Sequence, residues 1–193
     1  MPGAMRIVPI STVVADLAAA ESQATELIRG LSAAQANWQP HGRSWSIFQC
    51  LTHLARINGI YTAALSGAVA KSLHGVHVRE SISIKPGWFG AWFTRSLEPP
   101  VRTRMKAPRT ALPPTESGDP QVALAEFIAS HKPVRGIIES SSRTDVNKLR
   151  FKNPFISVVR FTVGTGLLII NAHDRRHLWQ ANQVKLAPGF PQQ

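Results

Sequence analysis

Two histidines stand four residues apart in the run NAHDRRHLWQ at positions 171–180. In an α-helix, with ~3.6 residues per turn and ~1.5 Å rise per residue, that spacing puts His173 and His177 one above the other on a single face. Both imidazoles can then aim a nitrogen at one point about 2 Å from each, the distance that divalent metal coordination requires. The H-E-x-x-H metalloproteases share the spacing, but here Asp174 takes the place of their glutamate. Downstream of His177 the chain has no His, Cys, Asp or Glu, so a third ligand must come from upstream.

Five histidines are available there: His41, His53, His74, His77 and His131. His41 falls in a turn, His74 and His77 in a long connection, and His131 beside Pro133. Only His53 occupies the middle of a helical stretch on its apolar face. A neutral imidazole buried there needs a partner for each nitrogen, and a metal shared with two histidines of a facing helix satisfies one nitrogen on all three rings. Two readings stay open: three ligands of one metal, or histidines held by hydrogen bonds inside the core.

The neighbouring polar residues are read conservatively. Asp174 points about 100° away from His173 and reads as an exposed salt bridge before a general base. Gln180, one turn beyond His177, is either a contact supporting the ligands or an ordinary interface polar group. Arg175 and Arg176 read as solvating the helix or pairing with acids; facing a pocket, they would favour an anionic substrate. Cys50, one turn before His53, reads as a small core residue, the alternative being a fourth ligand that closes the site. Trp45 and Trp179 read as packing, and Asn58 and Tyr61 as polar pocket lining.

Rigid elements must hold these groups. A chain of 193 residues, 44% hydrophobic and 17% charged, supports one sizeable core and is short for two, so a single domain over 1–193 is expected. The net charge of +11 is spread without zinc-finger, helix-turn-helix or RNP patterns, which reads as a solvated basic surface with no specific nucleic-acid partner. The N-terminus lacks the features of a signal peptide, and no apolar run approaches the ~20 residues of a membrane span, so a cytoplasmic protein with no membrane partner is expected. Cys50 is the single cysteine, which excludes an internal disulfide framework and a thiolate zinc site.

Apolar periodicity predicts four helices, with no internal repeat and few strands. The first runs from about Thr12 to Arg29 and stops at Gly30; the SAAQ run from Ser32 to Gln35 then caps one short turn. The second begins near Ile47, announced by the SIFQ capping box from Ser46 to Gln49, and continues to about Ala70. Residues 71–119 form a long basic, Pro-rich crossover containing a short aromatic helix whose Trp88, Phe89, Trp92 and Phe93 read as core covering the bundle end, the alternative being a wall of a substrate pocket. The third helix starts after the N-cap Asp119 and Pro120 and should be kinked by Pro133. The fourth starts at about Val159 or Thr162 and ends at Val184, where Gly164 and Gly166 either weaken its start or permit close packing. The core thus spans about 12–185, with a tail at 186–193, and the expected architecture is an all-α four-helix bundle with a crossover between its second and third helices.

Three segments carry a family resemblance: NWQPHGRSWSIFQCLTHLARINGIYTAAL at 37–65, RMKAPRTALPP at 104–114 and RFTVGTGLLIINAHDRRHLWQANQV at 160–184. With the spacing of the helices, the chain resembles the DinB-like (YfiT-like) superfamily from Thr12 to Val184. That resemblance implies an up-down-down-up bundle holding a divalent metal near one end of its core. The family's ligand on the second helix falls on His53, and its pair on the last helix falls on His173 and His177.

Three neutral imidazoles leave such a metal its full charge and an open position, the arrangement of catalytic rather than closed structural sites. Water or a small thiol bound there would ionise more readily. Members of the superfamily that the chain resembles include thiol-dependent transferases and isomerases, so the resemblance implies a metal-dependent hydrolase or thiol-dependent transferase, with a non-catalytic metal or small-ligand binding protein as the alternative. Zinc or nickel ranks ahead of iron or manganese, and a low-molecular-weight thiol is a candidate co-substrate. The expected partners are a small-molecule substrate and a second copy in a homodimer, for which apolar surface around Trp88 to Phe93 offers an interface.

Overall fold

Each helix begins and ends where side chains satisfy its free backbone groups. The computed structural model describes residues 7–42, 44–72, 82–100, 109–140 and 143–192. Among them are six helices: α1 (Ile10–Ile28), α2 (Ala33–Asn37), α3 (Ile47–Ser72), α4 (Gly87–Leu97), α5 (Pro120–Ser140) and α6 (Val163–Lys185). Gly30, in the left-handed region at φ 73°, follows the end of α1. Ser32 and Gln35 form the reciprocal capping box of α2, and Ser46 and Gln49 exchange the same pair of bonds at the start of α3, each at 3.1 Å. Asp119 Oδ1 accepts from the Gln121 amide ahead of α5, and Thr162 caps α6 through the Thr165 amide.

The fold is all-α. α1 and α3 each pack against both α5 and α6, so each of the four long helices has two long neighbours, and α4 lies against α6. Two antiparallel ribbons flank them: β1 (Val8–Pro9) with β2 (Ser83–Ile84), and β3 (Arg150–Lys152) with β4 (Arg160–Thr162). The second ribbon pairs Phe151 with Phe161 and Lys152 with Arg160. Of the histidines assigned to the crossover, His74 and His77 lie outside the described residues.

Packing explains the two glycines at the start of α6. A Cβ on Gly166 would come within 2.6 Å of Leu65 Cδ2 and 2.8 Å of Phe151 Cε1, and one on Gly164 within 3.0 Å of Ile84 Cγ2. They permit close approach of α3 and the neighbouring strands. The aromatic helix corrects an expectation. Phe89 and Phe93 pack against Phe161 with ring centroids 5.6 and 5.1 Å apart, but Trp88 and Trp92 are 76% and 59% exposed. An 11-residue helix lying on one neighbour can bury only one stripe, and the two indoles sit on the other.

The core divides into two apolar clusters. One gathers Leu17, Ile57, Tyr61, Val134 and Leu167 with the two ribbons; the other gathers Ala20, Ile47, Leu54, Phe127 and Leu178. Near the junction of the two run buried polar residues: His53 and Asn58 on α3, His131 on α5, and Asp174 and His177 on α6. Burying polar groups at mid-bundle is costly unless they are paired, so this layer is where partners must be sought.

Candidate metal centre

His53 lies in the second turn of α3 and is buried. Its Nδ1 donates to the Ala111 carbonyl at 2.6 Å, from the short 3₁₀ turn Arg109–Ala111. A carbonyl only accepts, so this contact puts the proton of the neutral ring on Nδ1 and leaves the Nε2 lone pair free. That Nε2 lies 3.4 Å from His173 Nε2. His177 completes the group, and one ring nitrogen from each of the three histidines lies within 4.8 Å of the others. The i, i+4 pair on α6 and the single histidine on the facing α3 thus converge on one point.

Trp45, just before α3, closes one side. Its ring stacks on His177 at 5.4 Å and 20°, and tilts over His53 at 4.6 Å. His173 is half-buried and forms the more open side. The Nδ1 atoms of His173 and His177 are buried without a hydrogen-bond partner.

Electrostatics keeps the rings neutral. Burial, then the charge of Arg56, lowers the His53 pKa to about 4 against the raising effect of the Ala111 carbonyl. Burial pushes His173 and His177 well down, reinforced by the other histidines and by Arg176. Gln180, one turn along α6, acts on His177 in the opposite sense. Neutral imidazoles with free lone pairs, held close together and short of partners, are the donor set a divalent cation needs. The residues present fit such a group.

Around this cluster the structure corrects several expectations. Asp174 is fully buried rather than exposed: Oδ2 accepts from His131 Nε2 at 3.0 Å and Oδ1 from Asn58 Nδ2 at 3.1 Å. Asn58 therefore serves Asp174, and Tyr61 accepts from Asn153 inside the core at 3.1 Å, both of them buried. Arg175 does pair with acids, Asp16 at 2.8 Å and Glu98 at 2.6 Å. Arg176 is buried and donates to the Ser96 carbonyl at 3.4 Å. Cys50 is packed in the apolar cluster with Leu51 and Leu54, burial pushes its thiol pKa up, and it is not part of the three-histidine group.

Sequence reasoning passed over His131, Glu21 and the Ala111 carbonyl. His131 Nδ1 contacts Glu21 at 2.9 Å, and Glu21 also holds Arg135 at 2.8 Å. A chain of charges thus runs from half-buried Arg135 to the helix turn that carries His173. The signal for His131 was its place on the buried stripe of α5, four residues after Phe127 and three before Val134.

No curated protein and no solved structure matches the chain. A family model does, described as the DinB superfamily, over residues 16–181, a span that includes all three histidines and the network behind them. The chain therefore belongs to the DinB superfamily.

Proposed function

We propose that His53, His173 and His177 hold a divalent cation, and that the protein is a metal-dependent hydrolase or thiol-dependent transferase acting on a small molecule. The observation that carries this reading is the convergence of three ring nitrogens within 4.8 Å, supplied by two separate helices. Three ligands are one short of the four that close a structural zinc site. An all-imidazole set suits zinc or nickel ahead of harder cations. When bound, the cation would supply Lewis acidity, lowering the pKa of a coordinated water or thiol.

The chain's own residues supply position and environment. Ala111 fixes the tautomer of His53, and Trp45 shields one side of the cluster from water. Arg176 and Arg56 add positive charge beside the rings.

A second reading, a non-catalytic metal or small-ligand binding protein, is favoured by one observation. Asp174, the carboxylate nearest the histidines in sequence, is committed to His131 and Asn58, and no carboxylate joins the three-histidine group among the described residues.

Elemental analysis of the purified protein tests the site. One metal per chain is expected, lost when His53, His173 or His177 becomes Ala. Turnover of electrophilic substrates with small thiols, or of hydrolysable esters and amides, then separates enzyme from binding protein. Full metal loading with no turnover would favour the second reading, and failure to bind zinc, nickel, iron or manganese would remove the enzyme and the metal-binding protein alike, leaving only a small-ligand binding protein.

A further inference from the structure

Among the described residues, the β3–β4 ribbon carries cations and no acid. The ribbon of β3 and β4 turns Phe151 and Phe161 inward and leaves Arg150, Lys152 and Arg160 on its exposed face. Lys152 and Arg160 are direct cross-strand partners, an arrangement that costs stability because like charges repel. The single acid between residues 143 and 162 is Asp145, whose Oδ1 accepts from the Asn147 amide. Nothing acidic on the ribbon offsets its cations.

The tip of the same ribbon is apolar. Asn153 Oδ1 accepts from the amides of Phe155 and Ile156, both at 2.9 Å, and the Asn153 amide bonds the Val159 carbonyl at 2.9 Å. This ordered turn holds Val158 outward at 89% exposure, with Ile156 beside it also exposed. Next to the ribbon, α4 is pinned through Phe89 and Phe93 to Phe161. Its outer stripe shows Trp88 and Trp92, with Lys85 and Arg95 exposed near its ends.

We infer that this end of the molecule, the β3–β4 ribbon together with the outer face of α4, docks on the surface of an anionic lipid bilayer. Indoles favour the boundary between headgroups and hydrocarbon, and exposed Val and Ile side chains gain by entering it. Lys and Arg around them meet anionic headgroups, which relieve the repulsion across Lys152 and Arg160. The indoles could stack on bases, but the exposed Val158 and Ile156 at the tip gain nothing from a polynucleotide, whereas a bilayer surface uses both. A net charge of +11 on each chain opposes a second copy at the same cationic end. No described helix is long and apolar enough to cross a membrane, so the contact is with the lipid surface alone.

The test is co-sedimentation of the full chain with vesicles of phosphatidylcholine alone and of phosphatidylcholine with an equal part of phosphatidylglycerol. Binding to the anionic vesicles only is expected, weakening with added salt and shifting Trp emission to the blue. The surface variants Trp88→Ser with Trp92→Ser, Val158→Ser, and Lys152→Glu with Arg160→Glu should keep the helical circular dichroism of the parent. The paired variants should each lose about tenfold or more in vesicle affinity, and Val158→Ser a smaller part. Equal binding to both vesicles, no binding to either, or parent-like binding by the charge-reversed variant would overturn the inference. So would self-association that the Trp variants abolish, or binding to a single-stranded polynucleotide in place of vesicles.

Discussion

His131 Nε2 donates to Asp174 Oδ2 at 3.0 Å, with both side chains removed from solvent, and this bond joins α5 to the turn of α6 that carries His173 and His177. Because the pair is buried, its worth lies in being complete. Breaking one partner leaves a charge without compensation, a loss of about 3–5 kcal/mol for buried pairs, whereas replacing both with apolar groups costs far less. His131→Leu should therefore lower stability by several kcal/mol in urea denaturation. The double variant His131→Leu with Asp174→Leu should fall well short of the sum of the two single losses, and strict additivity would show that the pair is not coupled.

The same histidine gives stability a pH dependence of defined sign. Burial alone would lower its pKa, but Asp174 and Glu21 outweigh burial and raise it above the ordinary 6.5. A raised histidine stabilises fully below its unfolded value, and the contribution fades as pH climbs through the folded value. Glu21 behaves oppositely. Burial would raise it, but Arg135 and His131 prevail and hold it below the ordinary 4.5, so its contribution is present above that value and lost as pH falls through the folded one. Burial also raises Asp174, whose contribution is likewise lost as pH rises, whereas His53, His173 and His177, lowered by burial, cost stability as pH falls below the ordinary 6.5. Stability measured against pH should decline above the ordinary histidine value through His131, and below it through the three neutral rings and then Glu21. His131→Gln should flatten the alkaline limb, and an unchanged slope would place that limb elsewhere.

Much of the fold could be read because its signals are local. The capping pairs Ser32 with Gln35 and Ser46 with Gln49 lie within four residues of sequence, and the i, i+4 geometry of His173 and His177 needs only a helix. His53 could be placed by its apolar stripe. The fate of Asp174 could not: about 100° from His173 points to solvent on an isolated helix, but in the bundle that direction enters the core between α1 and α3, where His131 reaches it from α5 on the far side. The ribbon of β3 and β4 was equally obscure, since three-residue strands offer too few alternations to register as a period of two. The exposed Trp88 and Trp92 depend on how many neighbours cover α4, which composition does not reveal.

Two glycines in helices should respond to alanine with opposite signs. Gly136 lies in α5, is exposed, and has nothing within 4 Å of an added Cβ. Alanine there removes the entropy cost of glycine and should stabilise by about 0.5–1 kcal/mol. Gly166 would press its new methyl against Leu65 and Phe151, and overpacking of this kind costs about 1–3 kcal/mol. Chemical denaturation of the two variants should move the midpoint in opposite directions. A neutral Gly166→Ala would mean that α3 and β3 yield more easily than a close-packed core does.

Metal should act on stability as well as on chemistry. A ligand that binds the folded chain alone adds about 4 kcal/mol at a concentration roughly a thousand times its Kd. For a chain of this size each kcal/mol moves Tm by about 2–4 °C, so zinc or nickel should raise Tm by roughly 10 °C. His173→Ala should abolish that rise while leaving the metal-free midpoint within a few degrees, since the ring is half-buried and its Nδ1 already lacks a partner. His177→Ala should also abolish it, but from a lower metal-free midpoint, because the ring it removes is packed under Trp45. A metal-induced rise that survives in either variant would mean that the cation binds somewhere other than between α3 and α6.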